Sequence, residues 1–148
     1  MIFCDTSALA KYYVGETGCA ALRSRLESED AVIASELARV ELMSVFHRRM
    51  RERAWTREQF QTAANQLSRD DTAQYWTWVP VSGFMIGAAS QLYLSLPDTV
   101  FLRASDCVHL VTALHHGFEE LCTFDRHQLA AAQGLGLGVI NIVSCGNL

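Results

Sequence analysis

The chain begins MIFCDTSALAKYY, residues 1–13, and this stretch decides the class of fold that the rest of the sequence can build. A short apolar run leads directly into Asp5, which predicts a buried strand that ends at the acid. Residues 6–13 then place apolar side chains on one side of a predicted helix. A strand that passes at once into a helix is typical of α/β folds.

The same alternation continues to the end of the chain. Further strands are predicted at 31–34, 76–81, 121–124 and 138–143, each short, apolar and bounded by polar or turn residues. Helices are predicted at 19–28, 35–53, 56–73, 83–96, 104–116 and 126–133. A Thr56–Gln59 capping box begins the third of these helices, and Gly117 follows the fifth as a C-terminal cap. The pattern predicts a parallel sheet with helices on both faces.

Length and composition favour one folded domain spanning residues 1–148. The chain has 148 residues, of which 50% are hydrophobic and 19% charged, so a core can form and disorder is disfavoured. The net charge of −4 does not indicate nucleic-acid binding, although a local basic patch remains compatible with it. The five cysteines include no C-x-x-C pair, and no export signal is recognised, so we expect a cytoplasmic protein.

One uncharged stretch, residues 72–97, raises the question of a membrane span. It contains several hydroxyl side chains and is interrupted by Pro80. We therefore expect a short strand followed by a buried helix, and no contact with a membrane.

Four acids stand beside predicted core segments. Asp5 and Asp125 end predicted strands, and Asp106 lies near the start of a helix, so each could be a helix cap or a favourable charge on the helix dipole. Glu41 lies inside a helix between apolar neighbours, where a carboxylate needs a partner. Either Arg48 or another basic residue pairs with it, or it faces a functional site.

If the four carboxylates converge, they repel one another. Two carboxylates about 4 Å apart repel by roughly 4 kcal/mol at an effective dielectric constant of 20. Such a group needs protons or a cation, and we expect its pKa values to be raised. Because carboxylate oxygens prefer hard ions, Mg²⁺ or Mn²⁺ is favoured over zinc.

The surroundings of these acids resemble a known family. The segments are MIFCDTSALAKYY with Asp5, SELARVELMSVFHRR with Glu41, LRASDCVHLVTALHHG with Asp106 and LCTFDRHQLAAAQGLGLGVINI with Asp125. In this order they resemble the PIN-domain family, and most closely the VapC-type toxins of type II toxin–antitoxin systems. The resemblance extends from residue 1 to about residue 143, although 56–101 carries no family motif and Cys107 stands where Ala is common.

The resemblance implies a three-layer α/β/α fold with a roughly five-stranded parallel sheet. It also implies a metal-dependent endoribonuclease that acts as a toxin, with RNA as substrate and a cognate antitoxin as partner. The alternative is a PIN-like module that binds RNA or an antitoxin without significant catalysis.

The same resemblance assigns roles to the acids. The expected metal ligands, which are also the catalytic residues, are Asp5, Asp106 and Asp125. Glu41 is either a further ligand or a base that orients water. Ser7 and Thr123 are expected to orient the carboxylates, or else to serve as local capping and turn hydroxyls.

Basic and aromatic residues suggest further contacts. The candidate RNA-binding residues are Lys11, Arg39, Arg48, Arg103 and Arg126. A solvated helix face is the simpler explanation for the basic run at 47–53. His109 lies one turn after Asp106, so it either touches the site or, as we expect, lies on the helix surface. Aromatic residues crowd the segment 55–101, which predicts a homodimer that covers some of them.

Overall fold

The computed structural model describes residues 1–15 and 19–140. Within them the strands are β1 (Ile2–Cys4), β2 (Val32–Ser35), β3 (Trp76–Val79), β4 (Glu120–Cys122) and β5 (Gly138–Ile140). The helices are α1 (Thr6–Val14), α2 (Cys19–Glu27), α3 (Leu37–Arg51), α4 (Arg57–Thr72), α5 (Gly83–Ser95), α6 (Ala104–His115) and α7 (Arg126–Gly134). The predicted extension of the last strand, residues 141–143, lies outside the described residues.

The strands form one parallel sheet in the order β3-β2-β1-β4-β5. Phe3 of the central strand β1 pairs with Ile33 of β2 on one side and Leu121 of β4 on the other. The sheet has helices on both faces, so the predicted α/β/α fold with about five parallel strands is confirmed.

Alternation of side chains along the strands divides the core between the two faces of the sheet. In β1, Ile2 and Cys4 face one side and Phe3 faces the other. The first side is covered by apolar residues of α1 to α4, the second by apolar residues of α5 to α7. Because both faces of the sheet are covered, its central strand β1 is apolar throughout.

Helix α5 differs from the sequence-based prediction, which placed it in the interior. Met85 and Ala89 are buried, but Phe84 is 64% exposed and Leu94 80% exposed. Only one stripe of the helix surface packs on α6. The rest is exposed, although the helix carries no charged residue. None of the described helices combines the length and the apolarity needed to cross a membrane.

Local sequence fixes several helix ends. The capping box that begins α4 is formed as predicted: Gln59 N donates to Thr56 Oγ1 at 3.2 Å, and Thr56 N donates to Gln59 Oε1 at 2.8 Å. After α6, Gly117 adopts a left-handed φ of 72° and its N–H donates to the carbonyl of Leu114. This glycine allows the chain to leave the helix and enter β4.

Substitutions at two exposed glycines test whether the left-handed φ of Gly117 requires a glycine. We expect Gly117→Ala to lower the free energy of unfolding by about 1–2 kcal/mol, because an L side chain resists a left-handed φ. Gly87→Ala within α5 should raise it by about 0.5–1 kcal/mol, since alanine favours a helix. A methyl group at either position meets no atom of the described residues within 4 Å, so sterics do not distinguish the two. Urea unfolding of both variants measures the difference, and equal effects would contradict this explanation.

Candidate active site

The order of the strands places a crevice beside the carboxyl end of β1. The chain proceeds from β1 outward through β2 to β3, then returns to the other side of β1 to form β4 and β5. Ligands of parallel α/β proteins bind where the direction of strand order reverses. Here that point lies between β1 and β4, which are followed directly by Asp5 and by Thr123–Asp125.

Asp5 is the most buried of the four acids, with 2% of its surface exposed. Its Oδ1 accepts a hydrogen bond from Ala8 N at 2.9 Å, so it caps α1. Thr123 Oγ1 donates to Oδ2 at 2.6 Å, and Ser7 Oγ lies 2.7 Å from Oδ1. Burial raises the pKa of Asp5, and these hydrogen bonds lower it by less, so the pKa remains above its ordinary value.

The hydroxyls of Ser7 and Thr123 also fix the turn after β4. Phe124 N donates to Ser7 Oγ at 2.7 Å, and Asp125 N donates to Thr123 Oγ1 at 3.0 Å. The two hydroxyls therefore connect the Asp5 carboxylate to the segment that carries Asp125. They contact the Asp5 carboxylate and the local backbone at the same time. Both roles expected from the sequence, to orient a carboxylate and to form a local turn, therefore describe them.

Glu41 extends from α3 toward α1 and α6. Its Oε2 accepts a hydrogen bond from Thr6 Oγ1 and lies 2.8 Å from Nε2 of His109. The predicted alternative partner, Arg48, is therefore not the residue that the structure pairs with this oxygen. Burial raises the pKa of Glu41, but hydrogen bonds from His109, Thr6 and Ser105 outweigh it, so the pKa lies below its ordinary value.

Asp106 and Asp125 share one cation, the guanidinium of Arg103. Arg103 Nε lies 3.0 Å from Asp106 Oδ2, and Arg103 Nη2 contacts Asp125 Oδ2. Burial raises the pKa of Asp106, the Arg103 charge opposes that rise, and repulsion from Asp125 adds to it. Gln128, which is buried, donates from Nε2 to the carbonyl of Asp106 at 3.3 Å and ties α7 to α6.

The simpler capping explanation also holds for two of the acids. Asp5 is the N-cap of α1, and Asp125 is the N-cap of α7, with Oδ1 accepting from His127 N at 2.8 Å and from Gln128 N at 3.1 Å. Asp106 lies in the first turn of α6 but is not its N-cap residue. The expectation that repulsion raises all four pKa values was wrong for Glu41, because its hydrogen-bond donors favour the charged form.

All four carboxylates line a single cavity. Its polar lining consists of Asp5, Thr6, Ser7, Lys11, Glu41, Ser44, Arg48, Arg49, Arg103, Ser105, Asp106 and Asp125. The last two turns of α3 supply Arg48 and Arg49, and α1 supplies Lys11, whose Nζ lies 4.6 Å from the centre of the Phe124 ring. The cavity is therefore lined by both acidic and cationic side chains.

The predicted RNA-binding residues fall into two groups. Lys11, Arg48 and Arg103 line the cavity with the acids. Arg39 instead pairs with Asp71, and the exposed Arg126 contacts His127; neither is among the described residues that line the cavity.

Comparisons with known proteins identify the family and the fold of the chain. The family model of the PIN domain matches residues 2–134. The chain belongs to the PIN domain family. Its fold matches that of the VapC20 toxin of Mycobacterium tuberculosis, described as a sarcin–ricin loop cleaving toxin, with a TM-score of 0.71 and 19% sequence identity over 88% of this chain and 95% of that one. A comparison with curated protein sequences finds no match. The resemblance seen in the sequence is thus confirmed for family and fold.

The donor chemistry of this PIN domain fits a hard divalent cation. The acidic groups of the cavity are carboxylates, which Mg²⁺ and Mn²⁺ prefer, and two of them already share a positive charge. Within residues 1–15 and 19–140, however, no three acidic, imidazole or thiol side chains are gathered closely enough to form a complete metal site. The carboxylates are instead held by protein donors and by Arg103.

Sequence reasoning missed two polar residues of the PIN domain's cavity, Thr6 and Ser105, and favoured the wrong position for a third residue, His109. His109 was expected on the surface, but it is 1% exposed and contacts Glu41. Thr6 and Ser105 also hydrogen-bond Glu41. The spacing from Asp106 to His109 puts both on one side of α6, which was the available signal.

The pKa of Asp106 is raised and that of Glu41 is lowered, so we expect the two acids to have opposite effects on how stability changes with pH in the absence of divalent metal. Asp106 has a raised folded pKa, so its contribution to stability is lost as pH rises from 3.8 through that value. Glu41 has a lowered pKa in the folded state. Its contribution to the free energy of unfolding is therefore present above pH 4.5 and is lost as pH falls through the folded-state pKa. We expect Asp106→Asn to reduce the fall in the free energy of unfolding as pH rises. We expect Glu41→Gln to reduce the fall in the free energy of unfolding as pH decreases. Urea unfolding in chelator across pH measures both, and slopes that change in the same direction would contradict the assignment.

Proposed function

We propose that this PIN domain is a Mg²⁺- or Mn²⁺-dependent endoribonuclease. The observation that supports it best is the meeting of Asp5, Glu41, Asp106 and Asp125 in one cavity with cationic side chains beside them. Carboxylates that line one cavity suit a divalent ion, and cations beside them suit a phosphodiester backbone.

The four carboxylates would hold the ion, with Asp5, Asp106 and Asp125 as ligands and Glu41 as a ligand or as the group that orients water. When bound, the ion supplies Lewis acidity toward water and toward the scissile phosphate. Ser7 and Thr123 fix the rotamer of Asp5, and the backbone N–H groups of α7 fix that of Asp125. Side chains held in this way lose little freedom when they take up a ligand.

The substrate would be RNA, bound by its phosphates. Lys11 and Arg48 line the cavity and are the best candidates for contacts near the scissile bond. Arg103 would neutralise Asp106 and Asp125 in the free protein and could turn toward a phosphate in the complex. Arg39 and Arg126 are candidates for more distant contacts. The cleavage of the sarcin–ricin loop by VapC20 supports a structured RNA loop as the type of target.

The biological role proposed is that of a cytoplasmic toxin restrained by a cognate antitoxin protein. The PIN family match and the VapC20 fold support this role. The competing proposal is a binding module without significant catalysis. The donors that hold the four acids in place disfavour it, because a binding surface alone does not need carboxylates ordered in one cavity.

The catalytic proposal predicts metal-dependent cleavage. Purified protein should cut RNA in Mg²⁺ or Mn²⁺ and lose this activity in chelator. Asp106→Asn should reduce cleavage by at least 100-fold, on the order of the losses seen when a group that stabilises transition-state charge is removed. Asp98→Asn, in the exposed segment between α5 and α6, is the matched control and should cleave normally. Cleavage that persists undiminished in chelator would rule out the mechanism, and absence of cleavage by a folded, metal-bound protein would favour the binding module.

We also propose a homodimer that covers exposed apolar side chains of α5. Phe84, Ile86 and Leu94 are exposed on this helix, which carries no charged residue. Contiguous exposed apolar surface commonly marks a protein interface.

Sedimentation tests the dimer. The wild type should sediment as a dimer at about 10–50 µM, a range in which weak association is populated. The Ile86→Lys, Leu94→Lys double variant should be monomeric because two charges cannot be buried without partners. Lysines at the exposed polar positions Gln61 and Asn65 of α4, which packs on the opposite face of the sheet, serve as the control. A monomeric wild type would reject the proposal.

A further inference from the structure

We propose that His109 is a positioning residue for RNA cleavage, holding the Glu41 carboxylate in the cavity through its Nε2–H group. This inference rests on the proposed nuclease function. It concerns a residue outside the acidic quartet, and it assigns that residue an action through Glu41 and no contact with RNA.

The hydrogen bonds define the direction of this contact. Nε2 of His109 lies 2.8 Å from Oε2 of Glu41 and 3.1 Å from Oγ1 of Thr6, which donates to the same Glu41 oxygen. A carboxylate only accepts hydrogen bonds, so Nε2 carries the shared hydrogen. One oxygen of Glu41 on α3 is thus held from α1 by a hydroxyl and from α6 by an imidazole.

The burial of His109 separates positioning from direct catalysis. Its surface is 1% exposed, and it is absent from the described residues that line the cavity. RNA bound in the cavity would therefore meet Glu41 and not the imidazole. Any effect of His109 on the reaction must pass through the residues it touches.

The other ring nitrogen argues that His109 is not present for packing alone. Nδ1 is buried and has no hydrogen-bond partner among the described residues. Beside it on α6, the buried residues Cys107, Leu110 and Val111 are apolar. A buried polar atom without a partner lowers stability, so an apolar side chain would suit this position better if packing were the only requirement. The contact with Glu41 accounts for the imidazole.

Glu41 has more need of such support than the other acids. Asp5 and Asp125 are short side chains at helix N-termini, where backbone N–H groups fix them. Glu41 lies in the second turn of α3 and has one more rotatable bond, and its carboxylate accepts no hydrogen bond from the backbone of the described residues. Without His109 and Thr6 its carboxylate would sample several rotamers, and ordering it would oppose metal binding.

Two amide substitutions separate the Nε2 contact from the rest of the imidazole. The amide nitrogen of a glutamine occupies the place of Nε2, whereas that of an asparagine occupies the place of Nδ1 and cannot reach Glu41. His109→Asn should therefore weaken Mg²⁺ binding to RNA-free protein and reduce kcat, each by about 10–100-fold, as is usual when a group that orients a metal ligand is removed. His109→Gln should retain most of both. KM should change little, because Lys11 and Arg48 are intact.

Thr112→Val is the matched control. Thr112 is buried on the same helix, and its hydroxyl donates to the carbonyl of Val108, away from the cavity. The measurements are calorimetric Mg²⁺ titration without RNA, kcat and KM for RNA cleavage, and thermal melting to confirm folding. His109→Leu, which fills the volume without a donor, replaces His109→Asn if the latter does not fold.

Three results would overturn the role of His109. The donor-free variant is His109→Asn, or His109→Leu in its place. The role is overturned if this variant keeps the metal affinity and kcat of the wild type, or if His109→Gln loses as much as it does. It is also overturned if Thr112→Val loses as much as the donor-free variant. If the wild type itself neither binds Mg²⁺ nor cleaves RNA, the nuclease proposal fails. If the wild type does both and the donor-free variant matches it, only the positioning role fails.

Discussion

Parallel pairing of β1 with β4 is the contact on which the candidate site depends. These strands are separated by most of the chain, yet Cys4 lies opposite Cys122 and Asp5 N donates to the carbonyl of Cys122 at 3.1 Å. The pairing brings two strand-to-helix junctions side by side, so Thr123 reaches Asp5 and Asp125 stands at the same edge. Helices α3 and α6 then add Glu41 and Asp106 from either face of the sheet. Loss of this pairing would separate the acids even if every helix remained formed.

The four acids are kept in the cavity by different means, and these differences distinguish their chemistry. Asp5 is buried and bonded to neutral donors, so its pKa stays raised. Asp106 is paired with Arg103, yet burial keeps its pKa raised as well. Glu41 is more exposed and has three donors, so its charged form is favoured. Repulsion alone does not explain this set, because burial is the largest single influence on each of the three.

Local sequence predicted the elements of this fold closely, because strands, caps and left-handed glycines depend on neighbours in sequence. The junctions at Asp5 and Asp125 and the turn at Gly117 are examples. The contact between Glu41 and His109 spans 68 residues and depends on how α3 and α6 pack, so helical spacing could not reveal it. The exposure of α5 was missed for a related reason: an uncharged helix can be covered by its own chain or by a partner, and its sequence is the same in both cases.

Helix capping and metal ligation make compatible demands on the same carboxylate. At Asp125, Oδ1 accepts the backbone N–H groups of α7, while Oδ2 faces the Arg103 cation. The cap uses one oxygen and fixes the rotamer, and the other oxygen is directed toward positive charge. At Asp5 the cap also uses Oδ1, which accepts from Ala8 N, whereas Oδ2 accepts from the neutral hydroxyl of Thr123. Capping and function were therefore never exclusive explanations of these acids, because the cap orders the carboxylate that a cation would bind.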